Sequence, residues 1–146
     1  MTEANSQQPV VRRGGCLCGQ FRFTATGEPE VVGLCHCKDC QRQTTSAFSI
    51  IAVFEQAAVA TTGKLSSFTT IGEFGRPVRR SFCPECGAGV ISEAKFFQGK
   101  SLVKCGSFDD TDWVKPVFKL YCDSAQHWQI LPETPLTFAG MFVPSN

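Results

Sequence analysis

Histidine is scarce in this chain. There are two, His36 and His127, and no HExxH spacing, which excludes a histidine-rich hydrolytic metal centre. An excess of one charge is also lacking: 14 Lys and Arg against 13 Asp and Glu leave a formal net charge of +1. That balance gives no global attraction to nucleic acid or to an anionic membrane. A basic, aromatic-rich stretch of the kind that binds single strands is missing too. No apolar run approaches the ~20 residues that span a bilayer. The opening "MTEANSQQPVVRRGG" has no apolar core of a secretory leader. Helical periodicity is rare, and repeats, linkers and low-complexity segments are not found. Hydrophobic content of 42% is nevertheless enough for a core. The expectation is a soluble, cytoplasmic protein with one domain over residues 14–146, behind a loose tail at residues 1–13.

What the chain does have is cysteine, nine in all. A disulfide framework fits poorly, because the count is odd and reducing compartments keep thiols free. A bond within "CLC" or "CHC" would also close a strained, very small loop. Seven cysteines fall into three close groups: Cys16 and Cys18 in "CLC", Cys35, Cys37 and Cys40 in "CHCKDC", and Cys83 and Cys86 in "CPEC". Cys105 and Cys122 stand alone, as small buried hydrophobes do.

The rest of the pattern predicts a mostly β protein. In "GQFRFTAT" Phe21 and Phe23 alternate with polar residues, the period of a half-buried strand. "SIIAVF" (49–54) is an apolar, β-branched run, and "VRRSF" (78–82) and "GVISEA" (89–94) flank the CPEC group as strand, knuckle, strand. "SLVKCGSF" (101–108) and "VFKLYC" (117–122) predict two more strands, and "KDCQRQTT" (38–45) one or two helical turns. Thirteen Gly and eight Pro suit many short strands and turns.

Metal ligation explains the clusters. In "CPECG" Pro84 pre-sets a turn dihedral and Gly87 can take the positive φ that turns backbone N–H groups toward the sulfurs. One knuckle supplies two of the four ligands of a tetrahedral structural zinc, and Cys16 and Cys18 can supply the others. In an extended segment those two face one side, with Leu17 opposite. Two sulfurs on one zinc lie about 3.8 Å apart when each bond is ~2.3 Å. Such a site ties the first strand to a hairpin roughly 65 residues later. Cys35, Cys37 and Cys40 offer three sulfurs on one side, with His36 pointing away. Three ligands leave a fourth position open, which distinguishes catalytic from structural zinc. In the competing arrangement Cys105, Cys122 or His36 closes that site.

The segments "GGCLCGQFRF", "CHCKDCQRQTTSAF", "FCPECGAGV" and "KCGSFDD", in this order, resemble the glutathione-dependent formaldehyde-activating enzyme family, whose relatives include centromere protein V. The resemblance runs from Gly14 to the "HWQILPE" segment. It implies a tent of small, coiled antiparallel sheets, a structural zinc on Cys16, Cys18, Cys83 and Cys86, and a catalytic zinc on Cys35, Cys37 and Cys40. The implied chemistry is carbon–sulfur lyase chemistry: a thiol such as glutathione adds to an aldehyde such as formaldehyde, or the reverse. The chain departs from the family's pattern at Thr45, where many relatives have Gly, and at Lys119, where they often have His. Both are expected near the substrate pocket.

The remaining polar candidates have plainer explanations. His127 in "AQHWQILP" reads as a polar residue beside a packed Trp128, Asp109 and Asp110 as turn chemistry, and "RPVRR" (76–80) as a solvated strand face able to meet a carboxylate-rich ligand. Two other functions compete with the lyase reading. One is a zinc-stabilised binding or chaperone-like module, which has no need of an open metal position. The other is a hydrolase of imine-type substrates using zinc-bound water.

Overall fold

Cross-strand partners in a β-sheet share a face, and this register places the site. The computed structural model describes residues 7–131, 133–134 and 136–142, which form eleven strands and one α-helix. β1 (Val11–Gly15), β2 (Arg22–Thr26) and β5 (Val59–Thr62) make a three-stranded antiparallel sheet in the order β1-β2-β5. The other eight make a second sheet. They are β3 (Val31–Cys35), β4 (Ser49–Glu55), β6 (Ser66–Ile71), β7 (Pro77–Phe82), β8 (Gly89–Ala94), β9 (Lys100–Lys104), β10 (Phe118–Leu120) and β11 (Leu136–Thr137), ordered β11-β10-β3-β4-β9-β8-β7-β6. Its pairs are antiparallel from β3 to β6, while β10 runs parallel to both β3 and β11. The fold is mostly β, as the pattern predicts.

The two sheets meet in one apolar cluster. Phe23 and Ala25 from β2 pack with Val32, Ala52, Phe54 and Val103 from the near face of the large sheet. Phe23 meets Phe108 edge-on at 5.0 Å between ring centroids, and Phe108 meets Trp113 at 4.9 Å. Central strands β4 and β9 are buried on both faces, which is why β4 runs apolar instead of alternating, and β9 hides Ser101 and Lys104 along with Leu102 and Val103. The opposite face of the large sheet carries Cys35 against Ser49, Ile51 against Lys104, and the row Val53, Leu102, Ser92 and Arg80. That face lines the cavity described below.

Two expectations need correction. Residues 1–13 read as a loose tail, yet Val11, Arg12 and Arg13 belong to β1, paired with β2 and with Arg12 donating to Gly27 O and to Glu28. Residues 1–6 lie outside the described residues. Cys16 and Cys18 lie in a turn, not in an extended segment: Gly19 has φ 81° and its N–H donates to Cys16 O over 3.2 Å. No helix among the described residues is long and apolar enough to cross a membrane.

Candidate metal centres

Among the described residues, two groups of cysteines bring their sulfurs within 4.8 Å of one another: Cys16, Cys18, Cys83 and Cys86, and Cys35, Cys37 and Cys40. All nine cysteines are free thiols.

The four-thiol group joins the turn after β1 to the turn between β7 and β8. Cys18 Sγ lies 3.6 Å from Cys16 Sγ and 3.7 Å from Cys83 Sγ. Those separations match the edge of a tetrahedron of sulfurs about 3.8 Å apart. Leu17, between the two early ligands, is 88% exposed, so it does point away. In the CPEC knuckle Gly87 takes φ 76° and donates to Cys83 O over 2.9 Å, while Cys83 N–H donates to Ala88 O. Burial pushes the Cys83 thiol up, but donors outweigh it and bring it down to about 6: the Cys86 and Glu85 N–H groups and the Gln20 amide, which lies 3.0 Å from the sulfur. Gln20 also bonds the backbone of Lys64, so it ties the site to the loop between β5 and β6. A thiol held by several donors favours its thiolate, the form that binds a metal.

The three-thiol group sits where β3 ends and α1 (Lys38–Thr44) begins. Cys37 is the helix N-cap: its sulfur accepts the Cys40 N–H over 3.3 Å, which an Asp or Ser would do with oxygen. Hydrogen bonds from Cys35 and Cys40 hold the Cys37 thiol well below the ordinary thiol range. The same pairing, with Cys37 and Cys40, then pushes Cys35 far up, and burial adds to it. Three close thiols cannot all ionise unless a cation joins them. Both donor sets are therefore suited to a thiophilic divalent metal.

His36 is not a ligand. It is 2% exposed, turned edge-on to Phe48, and lies outside the cluster, with Nδ1 unpartnered among the described residues. Cys105 and Cys122 are outside both groups as well. Cys105 is buried in the core between the sheets, where burial pushes its thiol up to about 12.

Cys35, Cys37 and Cys40 open onto a cavity of about 360 Å³. Its wall includes three polar groups that sequence reasoning did not single out or explained otherwise. Lys104 is buried and donates to Ser49 Oγ over 2.7 Å. Arg80 is buried too, donating to Thr70 Oγ1 over 2.6 Å and lying 3.7 Å from Asp39, so "RPVRR" is only partly a solvated face. Tyr121 donates its hydroxyl to Glu73 over 2.5 Å. A lysine inside the apolar run "SLVKCG" was the one available signal.

The other candidates fall outside this cavity. Thr45 and Lys119 do not line it. Thr45 is the helix C-cap, in the left-handed conformation at φ 49°. Asp110 does make turn chemistry, accepting the Asp112 N–H, whereas Asp109 pairs with Arg22 on β2. Trp128 is not packed: it is 71% exposed, and His127 beside it is exposed as well.

Comparison with known proteins places this geometry. The model of the family "Glutathione-dependent formaldehyde-activating enzyme" matches residues 11–124. The chain belongs to that family. A protein of Penicillium rubens named "Putative glutathione-dependent formaldehyde-activating enzyme" is 27% identical over 114 residues, covering 75% of this chain and 59% of that one. One of the same name from Talaromyces marneffei is 28% identical over 123 residues, covering 81% and 65%. The chain thus spans about six tenths of these relatives' length. A Rhodobacter sphaeroides protein of known crystal structure shares the fold, with a TM-score of 0.51 at 19% identity, over 66% of this chain and 87% of that one.

Proposed function

We propose that this chain is a zinc-dependent carbon–sulfur lyase that joins a thiol of the glutathione type to an aldehyde, or cleaves the adduct. The observation that carries the reading is the cluster of three thiols, one short of a closed tetrahedron, opening onto a cavity in a member of this family. In this reading Cys16, Cys18, Cys83 and Cys86 hold a structural zinc, and Cys35, Cys37 and Cys40 hold a second one. A zinc held by Cys35, Cys37 and Cys40 would supply thiol activation there, easing loss of the proton from an incoming thiol.

The chain's own residues do the rest. The cavity walls exclude water around the reacting sulfur and carbonyl and hold them together, the main source of acceleration in an addition of this kind. As the sulfur–carbon bond forms, the carbonyl π bond breaks and its electron pair moves to oxygen, which takes up the proton the thiol gave. Lys104, on the wall of the same cavity, is the donor suited to that oxygen, since its ammonium has three N–H groups and Ser49 takes one of them. The same reading implies a reducing compartment such as the cytoplasm, where thiols stay available to a metal.

The test combines zinc analysis of the purified protein with detection by NMR of thiol–aldehyde adduct. Two zinc equivalents, one of them lost to a chelator together with adduct formation, is the expected result. Two equally retained zinc ions and no adduct with any thiol would favour the binding-module reading instead.

A further inference from the structure

Resting on the reading just proposed, we infer that the electrophile taken by this site carries a sizeable apolar group, an aromatic ring or a medium-length alkyl chain. That group lies along the cavity wall away from the thiols. Formaldehyde has two heavy atoms and fills little more than the ~30 Å³ of one water, while the cavity measures about 360 Å³. Its walls are mainly apolar: Leu120 and Met141 pack beside the thiols, and beyond them stand Ile51 and Leu102 from the sheet, Val78 from β7 and Phe97 after β8. Such walls give nothing to a one-carbon carbonyl or its hydrate, but they favour an alkyl or aryl arm by the area they remove from water.

The charges are distributed to match. Inside, Arg80 is engaged by Thr70 and Asp39, and Lys104 is bonded to Ser49, the cross-strand partner of Cys35, so its charge stands at the thiol end and not along the apolar wall. The exposed cations Lys38, Arg76 and Lys95 stand among the lining residues, where the carboxylates of a glutathione-like thiol can reach them while the interior stays free. Arg76 lies over the Phe96 ring, 5.4 Å from its centroid.

The tip of the β6–β7 hairpin completes the case. Ile71 and Phe74 line the cavity yet are 69% and 64% exposed. Phe74 has φ 60°, a conformation that a bulky residue adopts only at a cost. Glu73 beside it is held by the Tyr121 hydroxyl, fixing the tip against β10's end. Two exposed apolar side chains, one of them strained, become buried when an apolar arm lies against them.

S-methylglutathione and S-hexylglutathione, unreactive thioethers that mimic the adduct with a short and a long carbon group, test this by calorimetric titration into the zinc-loaded full chain. The hexyl compound is expected to bind at least about thirtyfold more tightly, in the range that added methylenes give in an apolar pocket. Phe74→Asn tolerates the left-handed backbone and should narrow that gap severalfold. Equal affinities overturn the inference and leave the thiol reading standing. Binding of neither compound overturns the thiol reading, and the inference falls with it. A gap unchanged in Phe74→Asn overturns the placement of the apolar group at the hairpin tip.

Discussion

Cys18 Sγ and Cys83 Sγ lie 3.7 Å apart although 65 residues separate them in the chain. They join the small sheet's first turn to the large sheet's β7–β8 turn. A metal there closes a long loop and contributes its binding energy to folding, on the order of 10 kcal/mol, against a total domain stability of about 5–15 kcal/mol. Cys86→Ser is therefore expected to be unfolded or insoluble. Cys37→Ser touches a group confined to six residues at the β3–α1 junction, so that variant should stay folded and hold one metal equivalent less. Circular dichroism melts and zinc counts on both variants check the contrast. Equal loss of structure in the two would make the second metal architectural.

Cys105 gives an independent check on which thiols bind metal. It is 2% exposed within the core between the sheets. Cys105→Ala leaves a small cavity and should cost about 1–2 kcal/mol, with zinc content unchanged. A denaturant titration measures the first and elemental analysis the second. Loss of a zinc equivalent would mean that the three-thiol site is closed by a fourth sulfur after all.

How much of this was legible beforehand depended on whether the signal was local. The strands with clear apolar runs or alternation, β2, β4 and β7–β10, could be read from their residues. β6, "SSFTTI", could not, because it is exposed along most of its length and carries no pattern. β1 was hidden by its arginines and glycines, and β3 by the cysteine at its end. The thiols were legible because ligand spacing is local. Lys104, Arg80, Tyr121 and Glu73 were not, since only the register of β4, β9, β8 and β7, and the return of β10 beside β3, brings them to one cavity.

Thr45 was expected near the substrate pocket, and its structural place gives a different expectation. At φ 49° it caps α1, its N–H donating to Arg42 O over 3.3 Å. A β-branched residue in that conformation costs about 1–2 kcal/mol that glycine does not. Part of the gain from Thr45→Gly is lost to the greater freedom of glycine in the unfolded chain. The variant should be more stable by about 0.5–1 kcal/mol, read from a thermal or urea transition, with adduct formation unaltered. A drop in stability would place the Thr45 side chain in a contact the cap geometry does not require.

Lys104 offers the sharpest probe of the three-thiol site, because it would act on a metal there without binding it. Burial pushes this lysine below its ordinary range, while the nearby thiols, Cys40 foremost, work to keep it charged. Its side chain is fixed by the 2.7 Å bond to Ser49 Oγ, and Ser49 is the cross-strand partner of Cys35. A cation so placed offsets the negative charge that three thiolates bring together, and charges beside a metal centre typically alter affinity by about 10–100-fold. Lys104→Met keeps the length and apolar stem of the side chain and removes the charge. It should leave the four-thiol zinc in place and release the other at least about tenfold more readily to a competing chelator. Lys104→Arg, which restores the charge, should recover part of the affinity. Release at the wild-type rate from Lys104→Met would show that the hydrogen bonds within the cluster suffice, and would leave Lys104 only its role in the cavity wall.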